Sequence, residues 1–192
     1  MKEILLLIGA YVFGNILTGY ILAKNLYRKD IYQEGSGNAG ARNAGRIFGK
    51  WAFVFTFFGD AGKGALVVLV ARWLGFTMEW QLLILLAVII GHIFPVFLHF
   101  HGGKGMSTYI GGMLAFHPLL FTAFAGAFIL FYVIFKSVTL AGMAAILIFP
   151  VIMIPFTFEW SSILIACTIS ALVLFAHRQN IIEKIFSERK IS

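Results

Sequence analysis

Long apolar stretches alternate with short polar ones along the whole chain. The apolar stretches cover residues 4–23, 51–73, 80–100, 106–116, 118–135, 138–155 and 160–176. About 20 apolar residues are enough for a helix to cross the hydrocarbon core of a bilayer. Most of these stretches therefore predict transmembrane helices, while 106–116 is too short to cross alone. The pattern predicts an all-α fold, a polytopic helical bundle in a membrane.

Composition agrees with a membrane setting. The chain has 192 residues, of which 60% are hydrophobic and 12% charged, with a mean hydropathy of +0.93. Soluble domains carry about 25% charged residues. We expect a single integral membrane domain over residues 1–192, with little of it outside the bilayer. Lys2 before the first stretch resembles a signal peptide, but a small-residue cleavage site is missing after that stretch, so we interpret it as a membrane anchor.

Positive charge predicts the orientation, because cytoplasmic loops are rich in Lys and Arg. If residues 106–135 formed one helix, six spans would leave either the basic first loop or the basic C-terminal tail outside. If 106–116 and 118–135 are separate helices, seven spans leave only Lys2 and Arg72 outside, with Lys63 inside a span. We therefore predict seven transmembrane helices, one of them short, with the N-terminus outside and the C-terminus inside.

Shortly after the third stretch come three glycines around a lysine: Gly102, Gly103, Lys104 and Gly105. Such a segment exposes backbone N–H groups. The helix predicted from residue 106, with Thr108 in its first turn, adds a partly positive N-terminus. The segment is not a Walker A loop, since Leu98 occupies the position of the first glycine. It is either a phosphate cradle or a glycine-rich turn with one snorkelling lysine.

Residues 24–50 form the longest polar segment. Its centre, residues 35–46, lacks a helical apolar stripe and combines glycines with small polar and basic residues. The residues that could bind an anion are its small polar donors, Ser36, Asn38 and Asn43, and its two arginines, Arg42 and Arg46, packed among glycines such as Gly37. Arginine and clustered N–H donors suit phosphate. The alternative is a solvated basic loop beside a span.

Other polar residues lie inside or at the end of apolar stretches. Asp60 and Lys63 are spaced i, i+3 in the second stretch, where charges are costly unless paired or functional. His92 lies in the third stretch, which Pro95 should kink. His177 and Asn180 share one helix face at the end of the last stretch. His177 is either functional or an interfacial histidine. Five histidines and one cysteine without HExxH argue against a metal site, so none is predicted.

These motifs, over nearly the whole chain, resemble the bacterial glycerol-3-phosphate acyltransferases that use acyl phosphate as donor. The matching segments are Ser36-Gly37-Asn38-x-Gly40-Ala41-x-Asn43-x-x-Arg46, Asp60-x-x-Lys63-Gly64, Gly91-His92-x-x-Pro95 through Gly102-Gly103-Lys104-Gly105-x-x-Thr108, and His177-Arg178-x-Asn180-Ile181. The sequence departs from the family pattern at Arg42 (commonly threonine), Ser107 (commonly alanine), Thr139 and Gly142 (serines expected), and Glu183 (an arginine expected nearby).

The resemblance implies transfer of a fatty acyl group from acyl phosphate to the 1-hydroxyl of glycerol 3-phosphate. The products are lysophosphatidic acid and phosphate, in the first step of phospholipid synthesis at the cytoplasmic face of a bacterial inner membrane. It implies catalytic roles for His177, Asn180 and Lys104. It implies substrate binding by Ser36, Gly37, Asn38, Asn43, Arg46, Gly102, Gly103, Gly105, Thr108 and Thr139, with support from Asp60, Lys63 and His92.

No cofactor and no nucleic acid partner is expected; the partners are the two substrates and membrane lipids, and the oligomeric state is open. Phosphate is a good leaving group, so no acyl-enzyme is required. The base is either His177 or the donor's own phosphate. The alternative function is a transporter for a phosphorylated metabolite, which charges inside the second stretch and a broken helix near Pro118 would suit.

Overall fold

The structure, a computed structural model, describes residues 1–188. All regular secondary structure in that range is helical, which confirms the predicted all-α class. The α-helices are α1 (Lys2–Gly14), α2 (Thr18–Asn25), α3 (Ala41–Phe48), α4 (Lys50–Trp73), α5 (Met78–Ile93), α6 (Met106–Phe116), α7 (Pro118–Phe135), α8 (Val138–Met153), α9 (Trp160–Ala176) and α10 (Arg178–Glu188). Arg189 and Lys190, two of the tail cations in the topology prediction, lie outside the described residues.

Within residues 1–188, five helical segments are long and apolar enough to cross a membrane. They are Lys2–Asn25, Lys50–Trp73, Met78–Leu98, Pro118–Phe135 and Val138–Phe156, and Trp160–Ala176 is a shorter apolar helix. Many large apolar side chains point outward, as lipid-facing side chains do; Leu130 and Ile134 on α7, for example, are exposed. The polytopic membrane class is confirmed. The count of seven spans and the orientation stay predictions.

Two predicted spans differ from the helices that form. The first is broken, because α1 ends at Gly14 and α2 begins only at Thr18, with Leu17 extended between them. In the third, Pro95 ends the α-helix instead of kinking it. The residue before a proline disfavours helical geometry, so α5 stops at Ile93 and a 3-10 turn, Val96–Leu98, comes after the proline.

The chain divides into two compact units, one from Met1 to Phe116 and one from His117 onward. In the first unit, glycines let helices touch backbone to backbone. A methyl group on Gly14 or Gly91 would overlap the facing backbone of α5 or α1, and one on Gly64 or Gly111 would overlap that of α6 or α4. Such small-residue contacts are typical of packed membrane helices.

The second unit is built on α7, α8 and α9, with α8 contacting both neighbours. Side chains define where its helices begin. The Nδ1 atom of His117 accepts a hydrogen bond from the Leu120 N–H at 3.1 Å, and Pro118 occupies the first helical position of α7. Ser137 caps α8 in the same way through the Leu140 N–H. The predicted single domain over 1–192 stays a prediction.

Candidate active site

Residues 35–46, predicted as one non-helical loop, form a loop only over 35–40 and continue into α3 from Ala41. We call this segment the first anion loop, and its asparagines shape it. The Asn43 side chain is buried; its Oδ1 accepts from the Ser36 N–H at 2.9 Å and its Nδ2 donates to the Glu34 carbonyl at 2.9 Å. Asn38 Oδ1 accepts from the Gly40 N–H at 2.8 Å. Both amides thus hold the loop in shape, which makes them positioning groups for Ser36.

Two members of this loop are open to a ligand. Ser36 and Arg46 are exposed, the serine in the loop and the arginine in the last turn of α3. Gly37 has φ +64°, a left-handed conformation that residues other than glycine rarely adopt. The segment therefore presents a hydroxyl and a guanidinium from a backbone that Asn43 fixes.

The glycine–lysine loop, residues 102–105, lies on the end of α5. The Gly103 N–H donates to the His92 carbonyl at 3.0 Å, and a methyl group on Gly102 or Gly103 would overlap His92. Gly105 has φ +78° and leads directly into α6. The glycines are thus required by close packing and by backbone conformation, and Lys104 between them is half-buried.

Thr108 occupies a different environment from the rest of this loop. It is fully buried in the first turn of α6, and its carbonyl lies against Gly64 of α4. Substrate binding is the role that the sequence predicts for it. Because it packs against Gly64, Thr108 belongs to the contact between α4 and α6, next to the loop.

Asp60, Lys63 and His92 form a buried cluster beside the break in the first span. Lys63 Nζ lies 3.3 Å from Asp60 Oδ1 and donates to the carbonyls of Gly14 (3.1 Å) and Ile16 (2.6 Å). Asp60 Oδ1 accepts from the N–H and the hydroxyl of Thr18 at 3.3 and 3.1 Å. The lysine satisfies carbonyls at the end of α1, and the aspartate caps the start of α2.

His92 links this cluster to the glycine–lysine loop. Its Nδ1 is 3.9 Å from Asp60 Oδ1, and its carbonyl holds Gly103. The predicted support role therefore has a physical basis. One buried cluster connects the broken first span, α4 and the loop that carries Lys104.

The glycine–lysine loop lies level with the middle of α4, because α6 starts beside Gly64 and runs parallel to α4. Gly64 meets the start of α6 at Thr108, while Arg72 near the end of α4 donates to the carbonyls of Ala115 and Phe116 at the end of α6. The two helices thus run the same way. With 11 residues, α6 is about 16 Å long, roughly half the hydrocarbon thickness of about 30 Å.

Tyr32, which no sequence motif singles out, joins the two loops. Its hydroxyl donates to the His101 carbonyl at 2.5 Å, and its ring lies 6.5 Å from the His101 ring. Burial raises the pKa of Tyr32 to about 12, so the hydroxyl keeps its proton at neutral pH. Tyr32 lies four residues before Ser36 and His101 three before Lys104, so this contact sets the spacing of the loops.

We predict that Tyr32→Phe lowers kcat/KM several-fold with a smaller effect on stability, since one hydrogen bond contributes about 0.5–1.5 kcal/mol. Steady-state kinetics on purified protein measures it. Tyr27→Phe is the matched control, because the Tyr27 hydroxyl reaches the Phe48 carbonyl at 3.5 Å without joining the loops. Equal activity of Tyr32→Phe and wild type would refute the spacing role.

The second unit carries the remaining predicted residues. His177 is buried and ends α9, and Asn180 lies in the first turn of α10, so a helix junction separates two residues predicted to share one helix. The Ile181 N–H nevertheless donates to the His177 carbonyl at 3.1 Å, which keeps helical geometry across the junction. His177 Nδ1 is 2.9 Å from the Val173 carbonyl. Since a carbonyl only accepts, Nδ1 carries the proton.

Thr139 lies in the first turn of α8, two residues after the Ser137 cap. Its side chain is half-buried. It is therefore presented at a helix start, the kind of position where anions bind.

These features define a class: a helical integral membrane protein whose two glycine-rich loops present arginine, lysine and serine side chains suited to phosphate groups. The family model for glycerol-3-phosphate acyltransferase matches residues 4–187. The chain belongs to the glycerol-3-phosphate acyltransferase family.

Individual relatives agree over nearly the full length. A glycerol-3-phosphate acyltransferase 1 of Bacillus cereus is 46% identical over 177 residues, covering 92% of this chain and 95% of the relative. The Desulfitobacterium hafniense protein of the same name is 36% identical over 185 residues, covering 95% and 91%.

Solved structures share the fold. The crystal structure of PlsY (YgiH), an integral membrane glycerol 3-phosphate acyltransferase, in its glycerol 3-phosphate form matches with a TM-score of 0.89 and 31% identity, covering 97% of this chain and 94% of that one. The lysophosphatidic acid form of the same protein matches with a TM-score of 0.86 and 30% identity, covering 97% and 93%.

Proposed function

We propose that this protein transfers a fatty acyl group from acyl phosphate to the 1-hydroxyl of glycerol 3-phosphate. The observation that carries the proposal is the pairing of two anion-binding loops by Tyr32 in a chain of this family. Both substrates carry phosphate, and each loop offers a cation that the family motif includes, Arg46 in the first and Lys104 in the second. Arginine can bind phosphate in bidentate fashion, while lysine acts as a point charge.

In the reaction, the 1-hydroxyl oxygen attacks the acyl carbon and the bond from that carbon to the phosphate oxygen breaks. The hydroxyl proton passes to a base, and inorganic phosphate leaves with the bonding electron pair. The Gly103 N–H is already bonded to the His92 carbonyl, so Lys104 is the group of this loop suited to stabilise charge on the departing phosphate. Ser36 and Thr139 add neutral donors, and His177 and Asn180 hold the glycerol hydroxyls.

The environment of His177 favours positioning over base catalysis. The Nδ1–H of His177 donates to the Val173 carbonyl at 2.9 Å. A neutral carbonyl orients the ring and fixes the tautomer, but it stabilises an imidazolium less than the carboxylate of a catalytic triad does. The donor phosphate, already anionic, takes the proton in this proposal.

We predict that His177→Asn retains measurable turnover, with a raised KM for glycerol 3-phosphate and little change in KM for acyl phosphate. Asparagine can replace part of the hydrogen bonding but cannot accept the proton. The measurement is the pH profile of the variant at saturating substrates, with Gln179→Asn as control because Gln179 is exposed beside the junction. Complete loss of turnover in folded, substrate-binding protein would identify His177 as the base.

We also propose seven spans in a bacterial plasma membrane, with the N-terminus outside, the C-terminus inside and the active site on the cytoplasmic face. The separate helices α6 and α7 support this count. Within the first unit, α6 ends at the same end as α4. In this topology the short helix α6 is counted as one of the seven spans, and the glycine–lysine loop opens toward the cytoplasm.

Cysteine labelling tests the orientation. With Cys167 replaced by alanine, single cysteines at Ser36, Lys136 and Gln179 should resist an impermeant thiol reagent added to intact cells, since all three positions are predicted inside. Thr77→Cys, at an exposed position before α5, is the control that should react. Labelling of position 136 from outside would contradict seven spans.

A transporter for a phosphorylated metabolite remains the alternative, and the broken first span is the observation that favours it. In transporters the ends of such half-helices bind the cargo. Here Lys63 and Asp60 already occupy the carbonyls and N–H groups at the break. That occupation supports the acyltransferase proposal.

A further inference from the structure

A groove of about 900 Å³ opens beside the first anion loop, at the end of the first span. We call it the basic groove. Its lining includes three cations from the end of α2 and the turn after it, and aromatic and histidine side chains from Tyr20 and the segment around Val96–Leu98. The lining side chains that we consider as contacts for a ligand are those of Tyr20, Lys24, Arg28, Lys29, Phe97 and His99.

The cations of the groove are not all neutralised by the protein. Lys29 Nζ pairs with Glu34 at 2.8 Å. Among the side chains described for residues 1–183, by contrast, no carboxylate oxygen lies within 4.0 Å of the charged nitrogens of Lys24 or Arg28. Asp30 also lines the groove, and its carboxylate accepts from the Tyr32 N–H at 3.0 Å. The groove therefore retains net positive charge from two exposed side chains.

The backbone that carries these cations has a defined local geometry. Arg28 has φ +55° and His99 has φ +51°, left-handed conformations that are uncommon for residues other than glycine. The Lys29 N–H donates to the Ala23 carbonyl at 3.0 Å and closes the turn on the end of α2. Lys24 Nζ lies 5.5 Å from the centre of the Tyr20 ring and 3.3 Å from its hydroxyl. The contacts with Tyr20 give the Lys24 ammonium a defined position, and the closed turn fixes the backbone that carries Arg28 and Lys29.

The segment after α5 adds apolar side chains, Phe97 and Leu98, to the lining of the groove. Phe97 is 69% exposed there, in the 3-10 turn after α5. The groove thus joins exposed aromatic surface to positioned cations at the end of a membrane span, where tyrosines and basic residues meet lipid headgroups. Basic pockets at the cytoplasmic ends of spans are known to bind anionic lipid headgroups.

We propose that the basic groove binds the phosphodiester headgroup of an anionic membrane phospholipid, with the phosphate between Lys24 and Arg28 and an acyl chain along Phe97. Of the two anion-binding loops, only Gly37 lines the groove; Ser36, Arg46 and Lys104 do not. Tyr32 and His101, whose contact joins the two loops, also line the groove, so the groove adjoins the proposed acyl-transfer centre. The inference itself does not depend on that reaction.

The experiment measures retained lipid by native mass spectrometry after extraction from bilayers that mix phosphatidylglycerol with phosphatidylcholine. Wild type should retain phosphatidylglycerol in preference to phosphatidylcholine. Each cation near an anionic headgroup strengthens association about fivefold. The double variant Lys24→Gln/Arg28→Gln should therefore lose roughly 25-fold of that preference. The charge-conserving variant Lys24→Arg/Arg28→Lys should keep it, which separates lost charge from lost folding.

The matched control is Lys50→Gln/Lys136→Gln, which removes two exposed cations outside the groove on the same predicted side. It should retain the lipid as wild type does. Inorganic phosphate and glycerol 3-phosphate serve as soluble competitors and should not displace the lipid. Displacement by either would make the groove a site for soluble phosphates and overturn the proposal. Equal retention of phosphatidylglycerol by wild type and Lys24→Gln/Arg28→Gln would also overturn it.

Discussion

Lys63→Met is expected to destabilise the protein by about 3–5 kcal/mol, the usual cost of removing one partner of a buried ion pair. The variant leaves Asp60 charged and buried without its lysine 3.3 Å away. It also removes the ammonium group that donates to the carbonyls of Gly14 and Ile16 at the end of α1. Reversible denaturation in mixed micelles of detergent and sodium dodecyl sulfate measures the free energy of unfolding.

Two controls separate the ion pair from general damage. Lys50→Met removes an exposed lysine from the start of the same helix and should change the unfolding free energy little. Asp60→Leu/Lys63→Met removes both charges, so it should be more stable than Lys63→Met alone. A Lys63→Met protein within about 1 kcal/mol of wild type, below the cost of a broken buried pair, would refute the account of the cluster.

Lys104→Ala is expected to lower kcat/KM by about ten- to a hundredfold, since a hydrogen bond to a charged group contributes about 1.5–3 kcal/mol. The change should leave folding intact, because the packing of this loop comes from its glycines against His92 and Ile93. Steady-state kinetics with both substrates varied, alongside thermal unfolding, measures the effect.

Ser107→Ala is the matched control for Lys104→Ala. It alters a neighbouring polar side chain at a position where the family commonly has alanine, and it should keep wild-type kinetics. Lys104→Arg should recover part of the activity, because it restores charge without the compact ammonium. A Lys104→Ala protein that folds normally and turns over at the wild-type rate would contradict the phosphate cradle.

Local signals were enough to predict most of the helices. The bounds of α6, α7 and α9 coincide with the predicted stretches, because their ends carry local chemistry. His117 caps α7 and Pro118 begins it. The glycines of the 102–105 loop likewise required no knowledge of distant contacts, since three of them around one lysine cannot continue a helix.

The parts that sequence reasoning missed depend on contacts between residues far apart in the chain. The break after Gly14 carries no proline, and it is stabilised by side chains from α4 more than 40 residues away. Tyr32 reaches His101 across 69 positions, which no local pattern reveals. For the same reason, Asn43 resembles a ligand-binding residue in the sequence, whereas its amide is used to shape the loop.

The acyltransferase account is tested most directly by one two-substrate assay on purified protein in lipid. Acyl phosphate and glycerol 3-phosphate are added together and separately, and inorganic phosphate and lysophosphatidic acid are both quantified. The account predicts equal amounts of the two products, formed only when both substrates are present, and strongly reduced in Lys104→Ala. If no ester forms with both substrates present, while the same protein in sealed vesicles takes up labelled glycerol 3-phosphate, the protein is a transporter and the account is wrong.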